Sequence, residues 1–146
     1  MSSDDFEKCL TARKLIHAEA AKKLSANELL EAERDLQDAE DSFRSKKVKW
    51  ATVQAYYSVF HALRSLLYAA GYRERSHWCT LVGVEELYVR RQKLLNKKDI
   101  RKAHHTMNLR EDADYSSAYS EDGARMAVEN ARAFLKKVKA ILGKAV

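Results

Sequence analysis

The 146-residue sequence has no proline and only four glycines, the residues that interrupt helices and shape tight turns. β-Sandwiches and β-barrels need such residues in their many turns, so these fold classes are excluded. The same composition excludes collagen-like and low-complexity chains. Helix-favouring Ala, Leu, Glu, Lys and Arg are abundant instead, and they predict an all-α protein.

Cysteine is scarce too, because Cys9 and Cys79 are too few for the disulfide framework of a small secreted protein. The segment from Met1 to Glu7 is polar and acidic, unlike a signal peptide. Polar residues interrupt the most apolar segment, Ala51–Gly71. Its continuous apolar runs are therefore much shorter than the roughly 18 residues that a membrane span needs. We therefore expect a cytoplasmic protein with no membrane contact.

The net charge is +6 and the pI about 9.3, which is compatible with nucleic-acid binding without requiring it. Charge is unevenly distributed: Glu28–Asp41 holds seven acidic residues against Arg34, and Arg90–Lys102 holds seven basic residues against Asp99. Two solvated helix faces of opposite sign are one interpretation. An acidic partner, an RNA backbone and head-to-tail self-association are the others.

The length predicts one domain over residues 1–146. Hydrophobic periodicity predicts helices at about residues 4–24, 25–43, 48–70, 80–95, 98–115 and 120–142. Ser25 and Glu28 have the spacing of a capping box, and Ser120 resembles the N-cap of the last helix. Gly71 is expected to end the third helix.

The third helix is apolar on two sides, which predicts a central position in the fold. Its remaining stripe is polar and consists of Gln54, Ser58, His61 and Ser65. Unpaired buried polar groups are costly, so we expect this stripe to face water, a cleft or a polar interface.

Metal and cofactor sites are not predicted. The adjacent His104 and His105 would point about 100° apart on a helix, which does not suit a shared metal ion. The sequence has neither paired zinc-binding cysteines nor a glycine-rich phosphate loop.

The segment Arg73–His77 combines two guanidinium groups, a carboxylate, a hydroxyl and an imidazole. Arg73 and Arg75 suit phosphate binding, and His77 suits proton transfer near neutral pH. The structural alternative is that Glu74 pairs with a neighbouring arginine while Ser76 and His77 cap the next helix.

Two further candidates lie elsewhere in the chain. Arg110 and Asp114 are four residues apart beside Tyr115, so they form either an intrahelical salt bridge or part of a polar cluster. His61 lies on the polar stripe, where it is either a catalytic group or a hydrogen-bonded residue of a helix interface.

Several segments together resemble the HEPN domain family over about residues 30–142. The segment Gln54–Ala62 (QAYYSVFHA) resembles the signature helix of HEPN domains, and Leu66–Cys79 resembles the segment that follows it. Arg110–Tyr115 (REDADY) and a last helix with Ala131, Phe134 and Leu135 fit the C-terminal pattern.

The resemblance implies an up-and-down antiparallel bundle of four to five main helices, here with a short extra helix, that often forms homodimers. Many prokaryotic members lie beside a minimal nucleotidyltransferase in a toxin–antitoxin-like pair. Other members are metal-independent endoribonucleases in which an Arg precedes a His by four to six intervening residues.

This sequence departs from the nuclease spacing. Arg73 and His77 are the nearest substitute, with three residues between them. We therefore favour a non-catalytic module that binds a nucleotide, an RNA phosphate or a nucleotidyltransferase through Arg73, Arg75 and Arg110, with hydrogen bonds from Ser76, His77 and Tyr115. The alternative is a metal-independent endoribonuclease with a relocated site that uses His77 or His61 with Arg73 or Arg75.

Overall fold

The computed structural model describes residues 1–116 and 118–143, with side chains described for all of these except residues 113–116. Six α-helices dominate these ranges: α1 (Ser3–Thr11), α2 (Ser25–Arg44), α3 (Val48–Ala69), α4 (His77–Val84), α5 (Lys97–Ser116) and α6 (Glu121–Ile141). A 3-10 helix (Glu19–Leu24) precedes α2, and a π-helical segment (Glu85–Arg91) follows α4. The all-α class is thus confirmed.

Helix α3 is the centre of a bundle formed with α2, α5 and α6. Alanines with no exposed surface occupy the contact between α2 and α3, including Ala32, Ala39, Ala55 and Ala62. Such small side chains let two helix backbones approach closely. Accordingly, the Ser58 hydroxyl reaches across and donates to the carbonyl of Ala32 at 2.8 Å.

The predicted polar stripe of α3 therefore faces α2 and not an open cleft. Ser58 and Ser65 have no exposed surface, and the Ser65 hydroxyl donates to the carbonyl of Ala62 at 2.7 Å. Gln54 lies 2.7 Å from the Ser42 hydroxyl at the far end of α2. The two serines are thus buried with their hydrogen bonds satisfied, whereas Gln54 and His61 are the partly exposed members of the stripe.

The prediction of one helix over residues 4–24 is wrong. Helix α1 ends at Thr11, and Arg13 takes a left-handed conformation with φ of 56°. The chain then forms β1 (Leu15–His17), which pairs antiparallel with β2 (Tyr72–Glu74), with Ile16 opposite Arg73. Burial of Leu15 and the long-range strand pairing override the local helix propensity here.

The predicted capping box at Ser25 does not form. Helix α2 begins at Ser25, but the Ser25 hydroxyl donates to the carbonyl of Ser65 on α3. Glu28 instead contacts His61. The N-cap prediction at Ser120 is confirmed, because its hydroxyl accepts the Gly123 amide at 2.9 Å, and Gly71 follows α3 with φ of 82°.

Helix α4 begins at His77, three residues before the predicted start at Thr80, because the Ser76 hydroxyl caps it by accepting the Cys79 amide. The helix lies very close to its neighbours at Gly83. A Cβ atom there would lie 2.8 Å from Leu67 Cδ1 of α3 and 3.2 Å from Leu15 Cδ1 of β1. The absence of a side chain thus permits this close packing.

A disulfide joins Cys9 of α1 to Cys79 of α4, with the two Cα atoms 5.8 Å apart. The cysteine count had predicted no disulfide framework, but a single bridge across 70 residues connects the N-terminal helix to the first turn of α4. In the part of the chain that the structure describes, no helix has the length and apolar character needed to cross a membrane.

We expect the double substitution Cys9→Ala and Cys79→Ala to destabilise the oxidised protein by about 2–4 kcal/mol, because the bridge restricts a long loop of the unfolded chain. Urea unfolding of oxidised protein measures the change. Wild-type protein unfolded with a reductant is the control and should match the double variant. Equal stability of oxidised and reduced wild type would contradict this prediction.

Candidate functional site

One face of α3 carries large aromatic and basic side chains at every fourth position. Tyr56, Phe60, Arg64 and Tyr68 follow this spacing, which places them in a row along the helix. We call this row the α3 aromatic row. Its cation–π contacts include Arg64, whose guanidinium carbon lies 5.4 Å from the Phe60 ring centre and 5.1 Å from that of Tyr68.

At the N-terminal end of the row, Tyr56 meets residues from two other helices. The Tyr56 hydroxyl lies 3.3 Å from Nε2 of His77 in the first turn of α4. The guanidinium carbon of Arg110 on α5 lies 4.7 Å from the Tyr56 ring centre and 5.4 Å from that of Tyr57. We call Tyr56, His77 and Arg110 the Tyr56 cluster.

The Tyr56 cluster combines groups with complementary chemistry. Burial raises the pKa of the Tyr56 hydroxyl, although Arg110 opposes this, so the phenol is protonated at neutral pH. His77 is exposed, and its ring contacts that of Phe60 at a tilted angle, with the ring centres 4.8 Å apart. An accessible imidazole, a neutral hydroxyl and a guanidinium group therefore lie together at one surface position.

At the C-terminal end of the row, Tyr68 and Arg64 belong to a network of charged residues. The Tyr68 hydroxyl accepts from Nε of Arg64 at 2.9 Å and donates to Glu74 at 2.9 Å. Arg64 also lies 3.5 Å from Glu28 and 3.4 Å from Glu74. Two carboxylates thus offset the charge of Arg64, which leaves it little attraction for an additional anion.

His61 faces the acidic helix α2. Its Nδ1 lies 2.5 Å from Glu28 Oε2, and its Nε2 lies 3.7 Å from Asp35 Oδ2. The hydrogen bond with Glu28 raises the pKa of His61 above its ordinary value of 6.5, although burial opposes this. Burial raises the pKa of Asp35 and outweighs the attraction of His61. His61 thus serves the helix interface.

The sequence-predicted residues of the Arg73–His77 segment are divided among different neighbours. The guanidinium carbon of Arg73 lies 5.4 Å from the Tyr68 ring centre, whereas His77 contacts Tyr56 and Phe60. Because Phe60 and Tyr68 are two helical turns apart, roughly 12 Å of helix separates these contacts. Ser76 caps α4, which agrees with the structural interpretation of this segment.

Arg75 is exposed on the far side of this segment. Its backbone amide donates to the carbonyl of Lys14, and together with Arg73 and Ile16 it lines a concavity of about 400 Å³. The other predicted partners of Arg110, the side chains of Asp114 and Tyr115, lie outside the described residues. The structure thus brings His77 and Arg110 together at Tyr56, with Arg73 and Arg75 elsewhere.

Sequence reasoning missed Tyr56, Arg64 and Glu28 as site residues. The repeat of large side chains at every fourth position in α3 was the available signal for Tyr56 and Arg64. Glu28 had been assigned to a capping box, an interaction that depends only on local spacing. Its true partners are 33 and 36 residues away in the chain, at His61 and Arg64.

The sequence that forms these helices matches a known class of protein. The family model for the HEPN domain matches residues 26–141, so the chain belongs to the HEPN domain family, as its sequence had suggested. A relative from Archaeoglobus fulgidus, described as a UPF0332 protein, is 30% identical over 115 residues. That match covers 77% of this chain and 90% of the relative.

We expect the His61 pKa, followed by NMR titration, to lie above 6.5 in the wild type and to fall in Glu28→Gln, which loses the anionic partner. A histidine whose pKa is higher in the folded than in the unfolded protein contributes its full stabilisation at pH values below the unfolded-state pKa. That stabilisation is lost as pH rises through the folded-state value.

The stability deficit of His61→Gln should therefore shrink as pH increases above 6.5. Urea unfolding at several pH values measures it, and His105→Gln, at an exposed position of α5, is the matched control. A deficit that grows with pH would contradict the assignment.

Proposed function

We propose that this HEPN domain binds a phosphate group of a nucleotide or RNA at the Tyr56 cluster. The observation that carries the proposal is the meeting of His77 from α4 and Arg110 from α5 at the same tyrosine of α3. Arg110 supplies a guanidinium fork that suits phosphate oxygens, and His77 supplies an accessible imidazole donor.

Neighbouring residues favour a nucleotide over a simple anion. Tyr57 is 38% exposed beside Arg110, so its ring is accessible for stacking against a base. Arg64 is a weaker candidate for phosphate because Glu28 and Glu74 already offset its charge. The phosphate contact is assigned to Arg110 and His77 because both contact Tyr56 beside this accessible ring.

HEPN domains commonly dimerise, and the exposed aromatic residues of α3 suit contact with a second copy. Trp50 and Tyr57 are seven residues apart on one side of the helix, and Trp50 is 53% exposed. A homodimer would bring additional groups to the Tyr56 cluster. The family context adds a minimal nucleotidyltransferase, in a toxin–antitoxin-like pair, as the proposed protein partner.

Replacing Arg110 with Ala should weaken binding of a short fluorescein-labelled RNA by roughly tenfold or more, since a charge-assisted phosphate contact is lost. His77→Ala should weaken it less, because an imidazole offers a phosphate one hydrogen bond whereas a guanidinium group can offer two parallel ones. Fluorescence anisotropy at several salt concentrations measures both effects, and the salt dependence should become shallower in Arg110→Ala.

Arg132→Ala is the matched control, because it removes the same charge from an exposed position of α6 that pairs with Glu40 on α2. The proposal requires this control to bind RNA like the wild type. Equal losses of RNA affinity in the Arg110 and Arg132 variants would mean that overall charge explains the effect, and they would refute a site at Tyr56.

A second candidate function is metal-independent RNA cleavage at the same position. The observation that favours it is that an arginine and a histidine, 33 residues apart in sequence, both contact Tyr56. His77 would remove the proton of a ribose 2′-hydroxyl, whose oxygen then attacks the adjacent phosphorus. The bond from phosphorus to the 5′-oxygen breaks, and the protonated imidazole gives its proton to that oxygen. Arg110 would stabilise the charge on the phosphate in the transition state.

This second function predicts cleavage that persists in EDTA and leaves a 2′,3′-cyclic phosphate. His77→Ala should lower the rate by about 10²-fold or more, because the acid–base group is lost. Denaturing gel electrophoresis of a labelled RNA measures the rate, and His105→Ala is the control for loss of an exposed histidine. RNA binding without any cleavage by a verified dimer would leave binding as the function.

A further inference from the structure

A second cavity lies on the other side of the first turn of α4, between that turn and helix α5. Its volume is about 310 Å³, which falls at the lower end of the range for small-molecule pockets. Met1 contributes to its lining, and the other lining residues are Trp78, Glu85, Lys97, Ile100, Arg101 and His104. The cavity shares no residue with the Tyr56 cluster, because His77 contacts α3 whereas its neighbour Trp78 contacts His104 of α5.

Trp78 gives this cavity an aromatic wall. Its side chain is 46% exposed, although the bundle buries most of its other large apolar side chains. The ring centre lies 5.9 Å from that of His104, at an interplanar angle of 56°. The two rings are tilted and not stacked, which leaves indole surface available for a planar ligand.

The α5 wall is positively charged. Lys97, Arg101 and His104 are spaced by four and three residues, so they share one face of the helix. No ion pair within residues 1–112 and 118–143 involves Lys97 or Arg101. Their charges are therefore available to an anion that enters the cavity.

The nearby carboxylates are already occupied by other partners. Glu85 lines the cavity but lies 3.0 Å from Arg90. Asp99 accepts the backbone amide of Asn96 and lies 2.7 Å from Lys137 of α6. These pairings reduce the repulsion that an incoming phosphate would meet.

We propose that this cavity binds a nucleoside phosphate, with the base stacked on Trp78 and the phosphate held by Lys97 and Arg101. The ligand is a free nucleotide or one unit of an RNA strand, which share this chemistry. An exposed aromatic ring lies across this small cavity from two cations that form no ion pair with the described side chains, and this combination favours a nucleoside phosphate over inorganic phosphate or an apolar ligand. The proposal is independent of the Tyr56 cluster.

The chain offers a direct fluorescence test because it has only two tryptophans, Trp50 and Trp78. Trp50→Phe removes the exposed indole at the start of α3 and leaves Trp78 as the only reporter. In this background, AMP should quench the fluorescence saturably, whereas adenosine and inorganic phosphate should each bind at least about tenfold more weakly.

In the Trp50→Phe background, Arg101→Ala should raise the dissociation constant for AMP by roughly tenfold. Lys102→Ala is the matched control, because it removes an equal charge from the adjacent residue, which does not line the cavity; it should change the constant less than about twofold. Arg110→Ala should leave it unchanged, which separates this proposal from the function assigned to the Tyr56 cluster.

The contribution of the indole is measured with AMP that carries a fluorophore on its ribose, by anisotropy. Trp78→Ala should weaken binding by about tenfold and Trp78→Phe much less, since an aromatic face remains. Tighter binding of a short oligoadenylate than of AMP would assign the site to an RNA strand, and equal binding would assign it to a free nucleotide.

Three results would overturn the proposal. The first is quenching by AMP that does not saturate, and the second is equal loss of binding in Arg101→Ala and Lys102→Ala. The third is an acidic peptide that competes as well as AMP, because the cavity would then recognise negative charge without a base.

Discussion

The close contact between α2 and α3 is the constraint on which the rest of the structure depends. Alanines along this contact, such as Ala32 and Ala62, have no exposed surface, and their small size lets α3 pack directly against α2. The serine hydroxyls of α3 form hydrogen bonds within the bundle; Ser58, for example, donates to the carbonyl of Ala32. The functional groups of α3 are consequently restricted to the aromatic row and to His61 at the edge of the interface.

The α3 aromatic row organises the surface because its large side chains contact residues from several elements. Tyr56 contacts His77 and Arg110, which belong to α4 and α5, and Tyr68 contacts Glu74 of β2. The two ends differ in electrostatics: carboxylates offset Arg64 near Tyr68, whereas the Tyr56 cluster has an exposed imidazole. This difference is the reason why the proposed phosphate contact is placed at the Tyr56 end.

The sequence predicted elements whose stability comes from local spacing. Helices α3 and α6 follow from a continuous apolar periodicity, and the caps at Ser76 and Ser120 follow from residue type and position. Elements that depend on distant partners were missed. Strand β1 forms because Leu15 and its neighbours pair with β2, and no local pattern indicates that pairing. The same limit explains the Cys9–Cys79 bridge.

The candidate site was predictable only in part, for the same physical reason. Residue chemistry singled out His77 and Arg110 as candidate binding groups, but it grouped His77 with Arg73 because they are close in sequence. Local backbone geometry sends Arg73 toward Tyr68. The meeting of His77 and Arg110 depends on the positions of α4 and α5 against α3, which single-sequence spacing does not encode.

The tight packing at Gly83 restricts which residues can occupy this position in the fold. Leu67 and Leu15 leave no room for even a methyl group at this position. A side chain there would require the ends of these leucines to move, or α4 to shift together with the turn that carries His77 and Trp78 six and five residues earlier. An exchange at this hidden glycine therefore requires the two buried leucines to repack or to lose volume, an adjustment that exposed positions do not need.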